Sequence, residues 1–532
     1  MERIASRACG RERRAMALMR ARCLRGFGRA LLLHNDAKRA LIVGGFRRGA
    51  CARYGLALCA ALAWLTGSRT TLAQEWLRDR RFEEGPGIRE GNLEIHPGLG
   101  AEAGFDSNWF LRSPKSDERL INGAPSAPPV GAAVLRITPS LRLQSIAGPR
   151  LEGPDGMRST APIAFRAGAS ATYREFLAAP EVSAERNLAV AASGGIDIHQ
   201  WRPLGANLRL SYQRIVQPTA VADPNFSFTH NDINVGGEVV AIPGGGALDL
   251  RAGYQFFGSF YERLNSIPFS NVTHDLTVKN RWKFRPRTAL FHDTSLRFVS
   301  YPNASQAPNF LNSSSPLRTA IGLSGLVTER VGALVSVGYG ATFFDAPPAS
   351  PGGAGDTRLQ YDGVTAQVEG TYHFFGSGPA AEGGGLSVLL SNVSVGYLRD
   401  FNTSLLSNYY TSDKAYSRLV YVVAGRAVIQ FEAAVEAMSY PQPYLNSSAG
   451  PVAAVGPLGV PVGEFTNYRW IGKWFAEYRL SNSFAVNATV DYSRISSDTQ
   501  LELGDPLRTG RSQLFDLEWR RLQAFAGVRW SL

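Results

Sequence analysis

Cysteine is almost missing from this 532-residue chain, and the four that occur, Cys9, Cys23, Cys51 and Cys59, all precede residue 60. The rest of the chain has no thiolate for a structural zinc site, an iron–sulfur cluster, thiol catalysis or a disulfide scaffold. Long apolar runs are missing too. Beyond Ala73 none approaches the roughly 18 residues that a membrane-spanning helix needs. Most of the chain also lacks an excess of either charge. The formal net charge is +12, but the first 73 residues carry 15 of the 56 Lys and Arg and 3 of the 44 Asp and Glu. That leaves 41 of each sign in the remaining 459 residues. A neutral body lacks the basic footprint of nucleic-acid binding, so no nucleic-acid partner is expected despite a pI near 9.6.

Catalytic signatures are absent as well. There is no His-Glu-x-x-His, no Gly-x-Ser-x-Gly and no phosphate-binding loop. His96, His199, His292 and His373 are scattered singly, and neither a metal nor a cofactor is implied. Two clusters stand out, Thr229-His230-Asn231-Asp232 and Thr273-His274-Asp275. Either could form a His–carboxylate dyad for a hydrolase at a barrel rim. The simpler reading is that polar residues end a strand where it meets water.

The first segment reads as an address. Arg47, Arg48 and Arg53 precede an apolar run from Leu56 to Leu65, and Thr71-Leu72-Ala73 offers small residues before Gln74. This is the pattern of a secretory signal peptide, with cleavage expected between Ala73 and Gln74. Residues 1–73 are therefore expected to be a removed extension and signal peptide. Residues 74–92 then form a short charged periplasmic segment, too short for a plug domain or helical repeats.

From Leu93 onward the chain has a period of two. Val364, Ala366, Val368, Gly370, Tyr372 and Phe374 alternate with Thr365, Gln367, Glu369, Thr371 and His373. Phe484, Val486, Ala488, Val490 and Tyr492 alternate with Ala485, Asn487, Thr489, Asp491 and Ser493. Successive side chains on a strand point to opposite faces, so each stretch has one oily and one wet face. Short turns, at Arg202–Gly205, Pro243–Gly246, Arg285–Thr288, Thr328–Val331, Ala424–Ala427 and Leu480–Ser483, alternate with long loops rich in Pro, Asn, Ser and Gly. The expected fold is all-β: a transmembrane antiparallel up-and-down barrel over 93–532 with about 18 strands, short periplasmic turns and longer extracellular loops. To keep that parity, the long connection 147–161 must serve as a periplasmic turn.

A soluble β-sandwich alternates too. Two girdles of aromatics on the oily face favour the membrane: Trp282, Phe284, Tyr372, Phe374 and Tyr478 near the short turns, and Tyr173, Tyr212, Tyr254, Tyr397 and Tyr492 near the loops. The wet face repeatedly carries charge. Arg136, Arg142, Glu238, Asp249, Arg251, Lys279, Arg281, Glu369 and Lys473 are the candidate lumen-facing residues. Lys279, Arg281 and Lys283 form one basic stripe and Arg469, Lys473 and Arg479 another, the second interrupted by Glu477 and flanked by Glu432 and Glu436. Such stripes guide anions, or form half of a balanced lattice of ion pairs.

The opening of the body, Leu93-Glu94-Ile95-His96-Pro97-Gly98-Leu99 and then Gly104-Phe105-Asp106-Ser107-Asn108-Trp109-Phe110, resembles the type 2 β-barrel porin family of Gram-negative outer membranes. The likeness covers about twenty residues, a first strand followed by an Asp-x-Asn-aromatic hairpin. It implies an outer-membrane location and a role in exporting capsular or other exopolysaccharide, or a general porin. Implied partners are outer-membrane lipid and lipopolysaccharide, the barrel-assembly machinery and a polysaccharide export complex. The terminal Leu532 replaces the Phe that such barrels usually present to that machinery. The expected function is a conduit that assists export of a hydrophilic polymer. The alternative is a general diffusion porin for small solutes.

Overall fold

The computed structural model describes residues 87–114, 128–145, 162–178, 180–199, 203–217, 227–303, 313–345, 360–374, 391–404, 407–423, 426–441, 453–455, 464–503 and 513–532. The expected leader, the Ala73–Gln74 cleavage site and the connection 147–161 lie outside the described residues. The chain divides into two units, Met1–Ser68 and Arg69–Leu532. The second unit holds every element described below.

Eighteen long strands follow one another. They are β1 (Leu93–Asp106), β2 (Ala132–Ser145), β3 (Ile163–Leu177), β4 (Asn187–Ile198), β5 (Leu204–Ile215) and β6 (His230–Ala241). Next come β7 (Leu248–Tyr261), β8 (Asn271–Arg285), β9 (Thr288–Ser300), β10 (Ser314–Leu326), β11 (Val331–Phe344) and β12 (Asp362–His373). The last six are β13 (Asn392–Thr403), β14 (Tyr409–Val423), β15 (Ala427–Tyr440), β16 (Phe465–Arg479), β17 (Phe484–Ser496) and β18 (Trp519–Ser531). Each pairs antiparallel with the next, and β18 pairs with β1 from Gly98↔Ser531 to Asp106↔Gln523, so the sheet closes on itself. Closure pairs each of these eighteen strands on both sides and leaves the barrel wall without an edge, which a β-structure must achieve to stand in hydrocarbon.

The connections differ between the two ends, although those joining β2 to β3 and β12 to β13 are long at the end shared by both termini. At the end shared by both termini of the barrel, Pro286 and Arg287 alone join β8 to β9, and residues 327–330 and 480–483 join two further pairs. A 3-10 turn, Gly244–Gly246, lies between β6 and β7, with φ of 67° at Gly244 and 97° at Gly246, a region that glycine enters without steric cost. At the opposite end the connections are mostly longer, and three short strands, Ala453–Val455, Gln500–Leu503 and Gln513–Asp516, form a small separate sheet within them.

Both faces of the closed sheet are exposed, with opposite chemistry. On β12, Val364, Val368 and Tyr372 are exposed, and on β13 Val395 is 62 % exposed. The alternate residues Gln367 and Glu369 turn the other way and meet the Tyr416 hydroxyl of β14. Trp282, Phe284, Tyr372 and Tyr478 lie on the apolar face near the terminus end, Tyr173 and Tyr492 near the loop end, and Tyr254 and Tyr397 closer to mid-strand than the sequence reading placed them; all eight are exposed. An apolar skin of this extent belongs against lipid, with aromatics at its two borders. Among the described residues no helix is long and apolar enough to cross a membrane; the crossing is made by strands.

Buried apolar packing gathers at the loop end. Trp109, Val134, Phe176, Val182 and Phe525 form one cluster, Tyr361, Phe401 and Tyr409 a second, and Met438, Tyr440 and Phe465 a third. Tyr440 and Phe465 stack with ring centroids 4.6 Å apart.

Candidate functional site

The inner wall is organised from its seam. Asp106 ends β1 and faces Arg521 of β18, which donates to it at 3.0 and 2.5 Å, while Gln523 Nε2 donates at 2.8 Å. Asp106 also accepts the Asn108 backbone N–H at 3.1 Å. The buried Asn108 amide in turn donates to the carbonyls of Arg112 and Arg520, at 2.7 and 3.0 Å, and its oxygen accepts the Arg112 N–H at 2.9 Å. These bonds turn the chain sharply, with Leu111 at φ 55°, and set Trp109 against Phe176 with ring centroids 4.5 Å apart. The Asp106-Ser107-Asn108-Trp109 segment is thus a clasp that ties the first loop to the last strand and packs it at the mouth. Arg136 lies beside it, 3.8 Å from Glu102 and 3.4 Å above the Phe525 ring.

Below the clasp the wall is ionic. Glu477 holds both Arg529, at 2.6 Å, and Arg479, at 3.6 Å. Glu436 holds Arg469 and accepts the Ser412 hydroxyl at 2.6 Å. Lys473 sits in register with Glu432 and Asp491, and Glu369 accepts the Tyr416 hydroxyl. The basic stripe of β16 is therefore interleaved with carboxylates from its own strand and its neighbours.

The wall from β3 to β8 is different. Asp197 takes Arg209 at 2.6 Å and Arg166 at 3.3 Å; Arg251 is held by Asp249 at 2.8 Å and Glu238 at 3.3 Å. Three arginines and three carboxylates are thereby matched. Beside them stand Lys279, Arg281 and Lys283 of β8, all exposed on the inner face. None of the three forms an ion pair with any described residue. A recess of about 620 Å³ is bordered by Arg209, Arg251, Arg281 and Lys283, and a second of about 300 Å³ by Arg251, Lys279, Arg281 and Asp293.

All nine candidate lumen-facing residues stand on the face opposite the exposed apolar side chains. Glu238, Asp249, Arg251, Lys279 and Arg281 come together on three adjacent strands. Arg136 is separate, beside the clasp; Arg142 lies lower on β2 in register with His96; Glu369 and Lys473 are on the opposite run of strands. Arg166, Asp197 and Arg209 complete the cluster and escaped the sequence reading. The alternation of Leu208, Leu210 and Tyr212 around Arg209 carries the signal that would have placed Arg209.

The two histidine clusters behave differently. His274 points outward, donating or accepting at 2.8 Å with the Tyr254 hydroxyl, while its neighbour Asp275 points inward and receives Arg297 at 2.8 Å. No dyad forms there, because adjacent residues on a strand face opposite sides. His230 and Asp232 share the inner face at 3.5 Å, with His230 stacked on Tyr261 and its Nδ1 2.6 Å from the Phe228 carbonyl oxygen. That geometry ends a strand. Among the described residues no group of three or more His, Cys, Asp or Glu is arranged to hold a metal ion.

On the outer face, above the tyrosine girdle, Arg214 forks onto Glu262 at 2.6 and 2.7 Å, and Asn231 donates to Glu262 at 3.0 Å and accepts the Tyr212 hydroxyl at 2.8 Å. The Arg214 hydrogen bond, more than the opposing effect of burial, holds the Glu262 carboxyl below its ordinary pKa.

In sequence the chain matches no family model and no curated protein. Several solved structures are similar in outline. They include OccK2 (OpdF) of Pseudomonas aeruginosa, at 12 % identity over 83 % of this chain and 98 % of that one, with a TM-score of 0.38. OpdK of the same organism gives 10 %, 82 %, 99 % and 0.38. A BenF-like porin from Pseudomonas fluorescens Pf-5 gives 11 %, 83 %, 99 % and 0.38.

Proposed function

We propose that this chain is an outer-membrane porin, a water-filled conduit through which small hydrophilic solutes pass down their gradients without chemical change. One observation carries the reading: Lys279, Arg281 and Lys283 are exposed on the inside of a closed sheet whose outside is exposed and apolar. Charged side chains stay solvated only where water reaches them, so the interior is wet while the exterior suits lipid. The two aromatic borders place the barrel across a bilayer. The expected leader supports the outer membrane as that bilayer; the short turns, at the end shared by both termini, would then face the periplasm, and the Arg214–Glu262 group would lie at lipopolysaccharide height.

The small-solute reading is preferred to polymer export, the leading expectation from sequence. That expectation rested on the size of the barrel and its polar lumen, which suit a small-solute porin equally, and on the family-like Asp106-Ser107-Asn108 hairpin, whose side chains are engaged in closing the seam and packing the mouth. A passive porin needs no partner complex. Reconstitution of the purified protein tests the choice. Steady conductance in planar bilayers, and swelling of proteoliposomes in small neutral sugars, are expected from the protein alone. A silent protein, whose deletion in the host removes surface polysaccharide and leaves small-solute uptake intact, would overturn the porin in favour of export.

A further inference from the structure

We infer that the inner wall of β8 is a ladder for small oxyanion-bearing solutes, carboxylates or phosphates, with Lys279, Arg281 and Lys283 as its rungs. The inference rests on the conduit reading and adds the charge class of the cargo. Alternate residues of a strand are about 7 Å apart, so the three cations stand in single file along one wall. Most cations of this lumen have a carboxylate within ion-pair distance: Arg209 and Arg166 on Asp197, Arg251 on Asp249 and Glu238, Arg529 and Arg479 on Glu477. The rungs have none among the described residues, and the lattice beside them is matched three against three. The carboxylates near the rungs are accounted for. Asp249 lies in register with Arg281 but forks onto Arg251 at 2.8 and 2.9 Å. Asp293 lies in register with Lys279, is exposed and makes no ion pair with it. The two recesses meet at Asp249, Arg251 and Arg281, so they adjoin along the ladder.

An anion passing about 7 Å from one such cation in water is favoured roughly threefold at low salt, so the rungs together, less the pull of Asp293, favour anions on the order of tenfold. A carboxylate or phosphate leaving one rung finds the next before it is fully released, which permits both binding and passage.

Reversal potentials in planar bilayers under a KCl gradient test the inference. At about 0.01 M salt, where the Debye length is near 30 Å, the wild-type protein should prefer chloride to potassium about tenfold; near 1 M the preference should collapse. The K279Q/R281Q/K283Q variant, with its folding checked by heat-modifiable migration in detergent, should lose the preference. K279R/R281K/K283R should keep it. Proteoliposomes swollen in sodium gluconate and in sodium phosphate then show which oxyanion passes. A conducting wild-type channel with no preference, or a preference for cations, overturns the ladder and leaves the porin standing, whether or not any variant folds. A preference untouched by the triple glutamine variant overturns the assignment to β8. No conductance at all refutes the porin reading itself.

Discussion

At the scale of the residue, Asn108 shows how one side chain fixes a loop. Its amide satisfies two carbonyls and accepts one N–H, and the Asn108 side chain itself is buried. Asn108→Ala leaves these groups unpaired, and the expected loss is about 2–4 kcal/mol, read as a lower midpoint in urea unfolding from lipid vesicles. An unchanged midpoint would mean that water replaces the amide at no cost. Glu262 supports a second prediction, on pH. Its carboxyl titrates below the ordinary value in the folded state because Arg214 hydrogen-bonds its charged form. A depressed carboxyl contributes stability that is fully present above its unfolded pKa of about 4.3 and is lost as pH falls through the folded value. Wild type should therefore exceed Glu262→Gln in stability at neutral pH, and the two should converge as pH falls through and below the folded value. A difference that persists into acid would point to shape, not charge, as the source.

At the scale of the element, parity governs what each side chain does. Val368 of β12 faces outward and Gln367 inward, one residue apart. Val368→Arg should cost roughly 2–4 kcal/mol where the strand crosses the bilayer midplane, while Gln367→Arg should be tolerated in the wet lumen. Equal costs would place both faces in the same medium. The same parity explains what was legible beforehand. Strand faces, girdles and turns could be read because alternation is local, and it assigned Lys279, Arg281 and Glu369 to the inside. It could not distinguish the two basic stripes, Lys279-Arg281-Lys283 and Arg469-Lys473-Arg479, which look alike along the chain. The difference lies in what neighbouring strands bring: Glu436 in register with Arg469 on one wall, and Asp249 turned to Arg251 on the other. Nor could alternation reveal the clasp, whose partners Asp106 and Arg521 are 415 positions apart. The His274-Asp275 cluster was legible as composition and separated by the pleat.

At the scale of the whole molecule, closure is the property on which everything else depends. An open sheet of this length would expose two edges to hydrocarbon, with every unpaired backbone group costing several kcal/mol. The seam where β1 meets β18 is correspondingly tight. A side chain at Gly104 would place its Cβ 2.1 Å from the Ala524 carbonyl oxygen, and one at Gly527 would lie 2.3 Å from the Ala101 carbonyl oxygen. The last residue is secured as well: Leu532 N–H donates to the Pro97 carbonyl at 3.0 Å, and its own carbonyl oxygen lies 3.2 Å from His96 Nδ1. Because cysteine is confined to the first 59 residues, the seam can be tested in a background free of other thiols once the leader is absent. Ala103 and Ala526 face each other in register across β1 and β18. Directly opposed antiparallel residues have Cα atoms about 4.5–5.5 Å apart, inside the range a disulfide accepts. The Ala103→Cys/Ala526→Cys protein, folded in vesicles and oxidised, should form an intramolecular bond that converts the chain into a near-circle, with a reversible shift in denaturing gel mobility. The pair Ala103→Cys/Ala488→Cys, separated by the width of β18, should remain reduced. Bonding in the second pair and not the first would mean that β1 closes on β17, and that the barrel holds one strand fewer in its wall than the register requires.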